Sequence, residues 1–414
     1  PVRKDESEPH DLTKQRQVDL VFIIDNSGSM ANSQSILAES FAEFIPQFTG
    51  QEVPATVGKN TVLRGKGKGQ AAAMAKASNP AVKLDFRIGV LSTDCPITNS
   101  SRGSDDCAPG ESNNGSWLNK NLEPYGELLP IARRSMVKNA SGKNVERIEK
   151  EYFLDNNSQQ LLEAFDVMVK LGTNGSSTET ALLPMIHFLN QSQKSGTAAN
   201  AFLRKDALTV FVIVGDEDEH KGHGSSAGAL ISKMTDKGGV NTPVLDARLN
   251  ELDQTLASVK GKNGRYRVYA VTQVPDLAAL TGKKVVSHRA KVKGGYAHAM
   301  AALRFGSKPT VDEKGNEIFS SIIDIGQNFS QKLVEIGGEV VKEAAYTFNL
   351  AKKAPGAEVD EATLQVLING VAQKRGIDFN FDAKSDKVEL LGEARSRSIG
   401  SKVDIRYTWI QELE

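Results

Sequence analysis

Val18-Asp19-Leu20-Val21-Phe22-Ile23-Ile24 is a nearly continuous apolar run, rich in β-branched residues, that ends abruptly in Asp25-Asn26-Ser27-Gly28-Ser29-Met30. A run this short, bounded by a polar turn, reads as a strand buried on both faces, the kind that parallel sheets contain. Beyond the turn, Leu37, Phe41, Phe44, Ile45 and Phe48 recur at three- and four-residue spacing, which predicts an amphipathic helix closed by Gly50. Strand, polar turn and helix open an α/β unit.

The same alternation continues outward from that stretch. Residues 84–91, 207–214, 266–272 and 322–325 read as further strands, with 151–154 as a short one. Between them, helices are marked by Leu161, Phe165, Met168 and Val169, by residues 180–189, and by Leu245, Leu249, Leu252, Leu256 and Val259. Phe329, Leu333, Ile336 and Val340 mark a closing helix. This order predicts a doubly wound, mostly parallel, Rossmann-like sheet over residues 16–342, preceded by a linker at 1–15. Two insertions interrupt it: a Gly/Lys/Ala-rich basic loop at 51–81 and a polar loop region at 95–150. After residue 342 short alternating strands take over, separated by turns such as Asn369-Gly370, so 343–414 is expected to be a small antiparallel β-sandwich-like domain.

Composition narrows the function. The 414 residues are 39% hydrophobic and 25% charged, enough for a packed core and against wholesale disorder. The 51 basic residues equal the 51 acidic ones, so no overall basic excess favours nucleic acid as a partner. No apolar run is long enough to span a bilayer. A chain that opens at Pro1 without Met reads as a trimmed start, and any membrane anchor is expected to have lain in a removed N-terminal segment. The cysteines, Cys95 and Cys107, bracket a Gly/Ser/Asn/Asp-rich loop. One disulfide closing it is expected, with free thiols as the alternative, and that favours an oxidising compartment.

Asp25, Ser27 and Ser29 alternate along the turn that follows a buried strand, and Gly28 lets the backbone bend. Alternate positions in an extended turn can aim at a common point, and hard oxygen ligands so placed suit Mg²⁺, Mn²⁺ or Ca²⁺. The competing reading is an ordinary Ser/Asp helix cap.

The Asp-x-Ser-x-Ser string resembles the metal-ion-dependent adhesion site of von Willebrand factor type A domains. That family expects a Thr from a later loop, and Gly172-Thr173-Asn174-Gly175-Ser176-Ser177-Thr178-Glu179-Thr180 is similar, with Thr178 the best match and Thr173 and Thr180 as alternatives. It also expects an Asp after the central strand, where Val214-Gly215-Asp216 stands. The resemblance implies that Asp25, Ser27, Ser29, Thr178 and Asp216 hold the ion, directly or through water. It further implies that a partner's carboxylate completes the coordination. A binding or adhesion protein, exported to the periplasm, cell surface or medium, follows from it, with no catalysis and a monomer favoured. Where many members read Asp-Gly after the central strand, this chain reads Asp216-Glu217-Asp218-Glu219-His220.

Two alternatives come from other classes. Asp216, Asp218, His220 and His223 could serve a metal-dependent hydrolase, although no helix-borne HExxH accompanies them. The chain could also be an intracellular assembly factor of the same family. Gly65-Lys66-Gly67-Lys68-Gly69 does not meet the phosphate-loop pattern, and the basic runs at 59–76 and 283–293 read as solvated loops, with contact to anionic lipid headgroups, polysaccharide or nucleic acid as the alternative.

Overall fold

The computed structural model describes residues 2–11, 16–49, 84–93, 127–138, 141, 143–158, 161–171, 181–216, 243–261, 264–283, 295–326, 329–350, 357–383 and 385–411. In chain order the elements open with β1 (Val2–Asp11), β2 (Gln17–Ile24), α1 (Ala31–Phe44), α2 (Pro46–Thr49) and β3 (Asp85–Ser92). Then come β4 (Ile131–Lys138), β5 (Asn144–Glu151), β6 (Leu154–Asp155), α3 (Leu161–Val169), α4 (Leu182–Ser192), α5 (Ala198–Phe202) and β7 (Leu208–Val214). The middle continues with α6 (Pro243–Lys260), β8 (Tyr266–Thr272), α7 (Leu277–Thr281), α8 (Tyr296–Phe305), β9 (Thr310–Val311), β10 (Glu317–Ile318) and β11 (Ile322–Asp324). The chain closes with α9 (Phe329–Tyr346), β12 (Thr347–Asn349), β13 (Glu358–Ile368), β14 (Val371–Ala372), β15 (Phe379–Asp382), β16 (Lys387–Leu390), α10 (Gly392–Ser398) and β17 (Lys402–Gln411). Among the described residues, no helix is long and apolar enough to cross a membrane.

The protein is α/β, built on a six-stranded sheet of order β11-β8-β7-β2-β3-β6. Its first five strands in that order are parallel and β6 joins antiparallel to β3. The opening run is β2, seated between β7 and β3, and its residues 18–24 are fully buried. Burial on both faces explains why the run is apolar at successive rather than alternate positions. Leu20, Phe22 and Ile24 join one core with α1, α3 and α9, while Val21 and Ile23 join a second with α4, α6 and α8. Asp19, the acid within the run, accepts hydrogen bonds from the Arg204 N–H at 2.7 Å and its Nε–H at 2.8 Å. Nearby, Lys260 Nζ donates to the carbonyls of Arg204 and Ala207, closing the amino end of the sheet with satisfied polar groups.

Aromatic packing holds α1 and α3 on the first face. The Phe41 and Phe165 rings stack with centroids 3.5 Å apart, and Phe22 meets Phe165 edge-on at 5.4 Å. Helix α9 lies against α1 and runs directly into β12.

Two further sheets, of order β1-β17-β13-β14 and β12-β16-β15, are both antiparallel and combine β1 with the strands that come after α9. Asn369 and Gly370 make the β13–β14 turn, both at positive φ, as the Asn-Gly pair predicts. Their core, including Val366, Val388, Leu390 and Ile405, is continuous with the one beneath α1 and α9. Across the junction, Lys342 pairs with Glu389 at 2.9 Å and Lys308 with Asp382 at 2.7 Å.

Three expectations are corrected. Residues 2–11, read as linker, form β1 and pair along their whole length with β17. The segment VRKDESEPHD has almost no apolar residue, because an edge strand can be held by backbone hydrogen bonds and polar cross-strand pairs: Ser7 to Asp404, Thr408 to Asp5 and Tyr407 to Glu8. Within the region read as loop, Ile131–Lys138 and Asn144–Glu151 form a charged hairpin. Helix α10 interrupts the strands of the last 72 or so residues. Cys95 and Cys107, and the 51–81 loop, lie outside the described residues.

Two measurements test this packing. Phe41→Ala removes a fully buried, stacked ring and is expected to cost about 3–5 kcal/mol in urea denaturation. His10, on β1 against the Phe348 ring, has its pKa lowered from 6.5 to about 4, by burial first and by Arg16 second. The unfolded chain therefore takes up this proton before the folded one. Stability falls as pH drops from 6.5 to 4, by up to about 3 kcal/mol from this group. A His10→Phe variant is expected to lose less over that window, and equal losses would place the titration elsewhere.

Candidate metal centre

The polar turn after β2 stands where ligands bind in open α/β sheets. The helices near β2 and β7 leave in opposite directions: α1 covers one face, whereas α6, the next described helix after β7, covers the other. A crevice opens at the carboxyl ends of two strands that diverge in this way. Asp25 follows β2 and Asp216 follows β7, so the crevice brings together acids 191 residues apart in the chain.

The backbone holds this turn tightly. The Asp25 N–H donates to the Val214 carbonyl at 2.9 Å, extending the β2–β7 pairing by one step. The Ser27 N–H donates to Asp25 Oδ1 at 2.6 Å, and Gln34 Nε2 reaches back from α1 to the Asp25 carbonyl at 2.9 Å. Asp25 is completely buried and Ser27 nearly so, while Ser29 is exposed. The Ser27 and Ser29 hydroxyls lie 3.0 Å apart, and Ser29 Oγ donates to Asp216 Oδ1 at 2.9 Å. Four of the residues singled out by sequence thus meet.

Of the competing cap reading, the Asx part is present, since Asp25 Oδ1 accepts the Ser27 N–H two residues on, and the serine part is absent. Ser27 precedes the short 3-10 turn Gly28–Met30, and neither it nor Met30 at the start of α1 makes a side-chain cap hydrogen bond. Thr178, with its alternatives Thr173 and Thr180, lies outside the described residues, as do Asp218, His220 and His223.

The donor chemistry fits a hard divalent cation. Asp25 and Asp216 supply carboxylates, Ser27 and Ser29 supply neutral hydroxyls, and all are oxygen donors. Among the described residues no three His, Cys, Asp or Glu side chains cluster into a metal-holding group.

A residue that sequence reasoning missed sits behind the acids. His298, on α8, is 1% exposed, and both ring nitrogens are shut from solvent without a hydrogen-bond partner. Burial alone lowers its pKa from 6.5 to about 4, so the ring is neutral at pH 7. Thr272, at the end of β8, is likewise buried with an unpartnered hydroxyl. Gly215 and Gly295 locate both groups. A Cβ on Gly215 would stand 3.6 Å from Asp25 Oδ2 and 3.6 Å from His298 Cε1. One on Gly295 would stand 3.0 Å from His298 Nδ1 and only 2.1 Å from Thr272 Oγ1. His298 carried no signal because a lone His among alanines in YAHAMAALRF has no ligand spacing.

No family model matches this chain, and no curated protein matches it. Among solved structures it is similar to a pilus adhesin, SpaC from Lactobacillus rhamnosus GG in its open conformation, at TM-score 0.35 and 10% identity, over 100% of this chain and 41% of that one. It is also similar to proximal thread matrix protein 1 from the mussel byssus, at TM-score 0.32 and 9% identity, over 79% and 48% of the two chains. The human COPII-coat protein Sec24c matches at TM-score 0.33 and 9% identity, over 99% and 42%. The chain spans less than half the length of each.

The two glycines make opposite predictions. Gly295→Ala forces a Cβ into the Thr272 hydroxyl and is expected to destabilise by about 1–3 kcal/mol. Gly215→Ala meets only ordinary contacts and is expected to leave the unfolding midpoint nearly unchanged. Urea titrations of both variants check the contrast.

Proposed function

We propose that the chain is a divalent-cation-dependent binding protein of von Willebrand type A character, with its adhesion site at the β2–β7 crevice. The observation that carries this is the Ser29–Asp216 hydrogen bond, made across 187 positions beside the buried Asp25. Parallel pairing of β2 with β7 brings that constellation to a switch point, and its donors are the hard oxygens that Mg²⁺, Mn²⁺ or Ca²⁺ prefers.

In this reading Asp25, Ser27, Ser29 and Asp216, joined by Thr178, hold the ion. When bound, the ion supplies a positive centre able to accept a carboxylate from a protein or surface ligand. The chain's part is positional: the Asp25 backbone is pinned on both sides, and the hydroxyls add ligands without adding negative charge. Fewer charges on the protein leave the ion more of its own, which favours an anionic partner. Binding needs no bond to break, so no catalysis is assigned. Exposure at a cell surface or in the periplasm fits a module that grips acidic groups, with one Cys95–Cys107 disulfide.

Isothermal titration of the full chain with Mn²⁺ and Mg²⁺ tests the proposal. Uptake of one ion is expected, at least about tenfold weaker in Asp216→Ala, whose half-buried side chain can be removed without opening the core. Absence of uptake by cooperatively folded wild type would end this reading.

A further inference from the structure

His298 is an expensive choice for its position. Its neighbours Ala297, Ala299, Ala301 and Ala302 are buried on the same helix, and an apolar side chain would serve packing there. Instead an imidazole is enclosed with both nitrogens unsatisfied, next to an unsatisfied Thr272 hydroxyl. Each buried donor or acceptor left without a partner costs about 1–3 kcal/mol. Native proteins hold few such groups, and departures from packing rules concentrate at functional sites.

The location says which function. His298 Cε1 and Asp25 Oδ2 are equidistant, at 3.6 Å, from the point where a Cβ on Gly215 would stand. Gly215 is the residue that carries β7 into Asp216. The ring therefore abuts the backbone between the two acids of the candidate centre, on the buried side, away from the crevice mouth where Ser29 is exposed. Thr93 continues the pattern on the other flank. It follows β3, its N–H donates to the Ile24 carbonyl at 3.1 Å, and its own hydroxyl is buried without a partner. Polar groups thus line the carboxyl edge of the sheet under the acids.

Resting on the cation-site reading, we infer that His298 is a positioning residue of that site, its buried imidazole supplying hydrogen-bonding capacity behind Asp25 and the Gly215–Asp216 backbone. It touches neither the partner nor the crevice mouth; it acts through Asp25 and the Gly215–Asp216 backbone. Outer groups that orient metal ligands in this way contribute about 10- to 100-fold in metal affinity. A purely structural histidine would contribute packing alone, and its replacement by an apolar side chain would leave metal affinity unchanged.

The test uses the full chain, with Mn²⁺ as probe, in wild type, His298→Leu and His298→Gln. His298→Leu removes the unsatisfied nitrogens and fills the space with apolar atoms. It is expected to unfold at the same or a higher temperature than wild type in EDTA, yet to bind Mn²⁺ about 10- to 100-fold more weakly. His298→Gln keeps a donor and an acceptor and is expected to recover most of that affinity. Wild-type affinity in His298→Leu would overturn the inference while leaving the cation site standing. Equal weakening in both variants would overturn it too, since packing rather than hydrogen bonding would then be at stake. Absence of Mn²⁺ uptake by wild type would overturn the site reading, and this inference with it.

Discussion

The register between β2 and β7 is the constraint on which the rest depends. Ile24 lies opposite Val214, and the Asp25 N–H takes the next carbonyl, so the first residues past each strand emerge side by side. A slip by one residue would turn every side chain of β2 to the opposite face and carry Asp25 out of line with Asp216. What prevents the slip is burial. Leu20, Phe22 and Ile24 face the aromatic cluster of Phe41, Phe44 and Phe165, whereas Val21 and Ile23 face α4 and α6. Both faces are committed, with large rings on one and medium aliphatic groups beside Phe188 and Phe211 on the other. The geometry of a polar site is thus fixed by apolar packing several residues away.

That packing also allows the site to be costly. Asp25 is completely buried, and the groups behind it, His298, Thr272 and Thr93, are enclosed with unsatisfied atoms. A marginal sheet could not hold such a strip. Here β7 is buried along its whole length, and the opposite end of the sheet carries the hydrogen-bonded network of Asp19, Arg204 and Lys260. At the amino end Asp19, Arg204 and Lys260 satisfy one another, while Arg16 Nε and the Thr209 hydroxyl are buried there without a hydrogen-bond partner, so unsatisfied polar atoms occur at both ends of the sheet.

Much of this was legible in the residues. Strands buried on both faces announce themselves as apolar runs, and β2, β3, β7 and β8 all do so. The helices that cover them repeat at three and four residues because one face meets a core. Asp25, Ser27, Ser29 and Asp216 were legible for a different reason: each follows directly on a strand that could be placed. What escaped notice lacked periodicity. Strand β1 is held by its backbone and by polar pairs with β17, so no hydrophobic alternation betrays it. The β4–β5 hairpin is charged along both arms. His298 reaches the site from a helix that begins 80 residues beyond Asp216, and only tertiary folding places its ring against Gly215.

Strand β1 changes how the two parts of the molecule are understood. A small β domain that merely followed the larger sheet would be tied to it by a single crossing, the α9–β12 step. Instead the first described residues pair with the last strand, and the chain enters β2 from that pairing, so both ends of the larger sheet's sequence are anchored in the smaller one. His10 and Arg16, on either side of that entry, both pack on the Phe348 ring, at 4.7 and 5.1 Å. The core confirms the union, since Val366 and Ile405 share one apolar cluster with Leu333 and Phe41. Helix α9, lying against α1, therefore connects the helix that leaves the Asp25 turn to the β12 strand without a gap in packing. A core this continuous resists independent motion of the two parts, because sliding one past the other would expose apolar surface at about 25 cal/mol per Å².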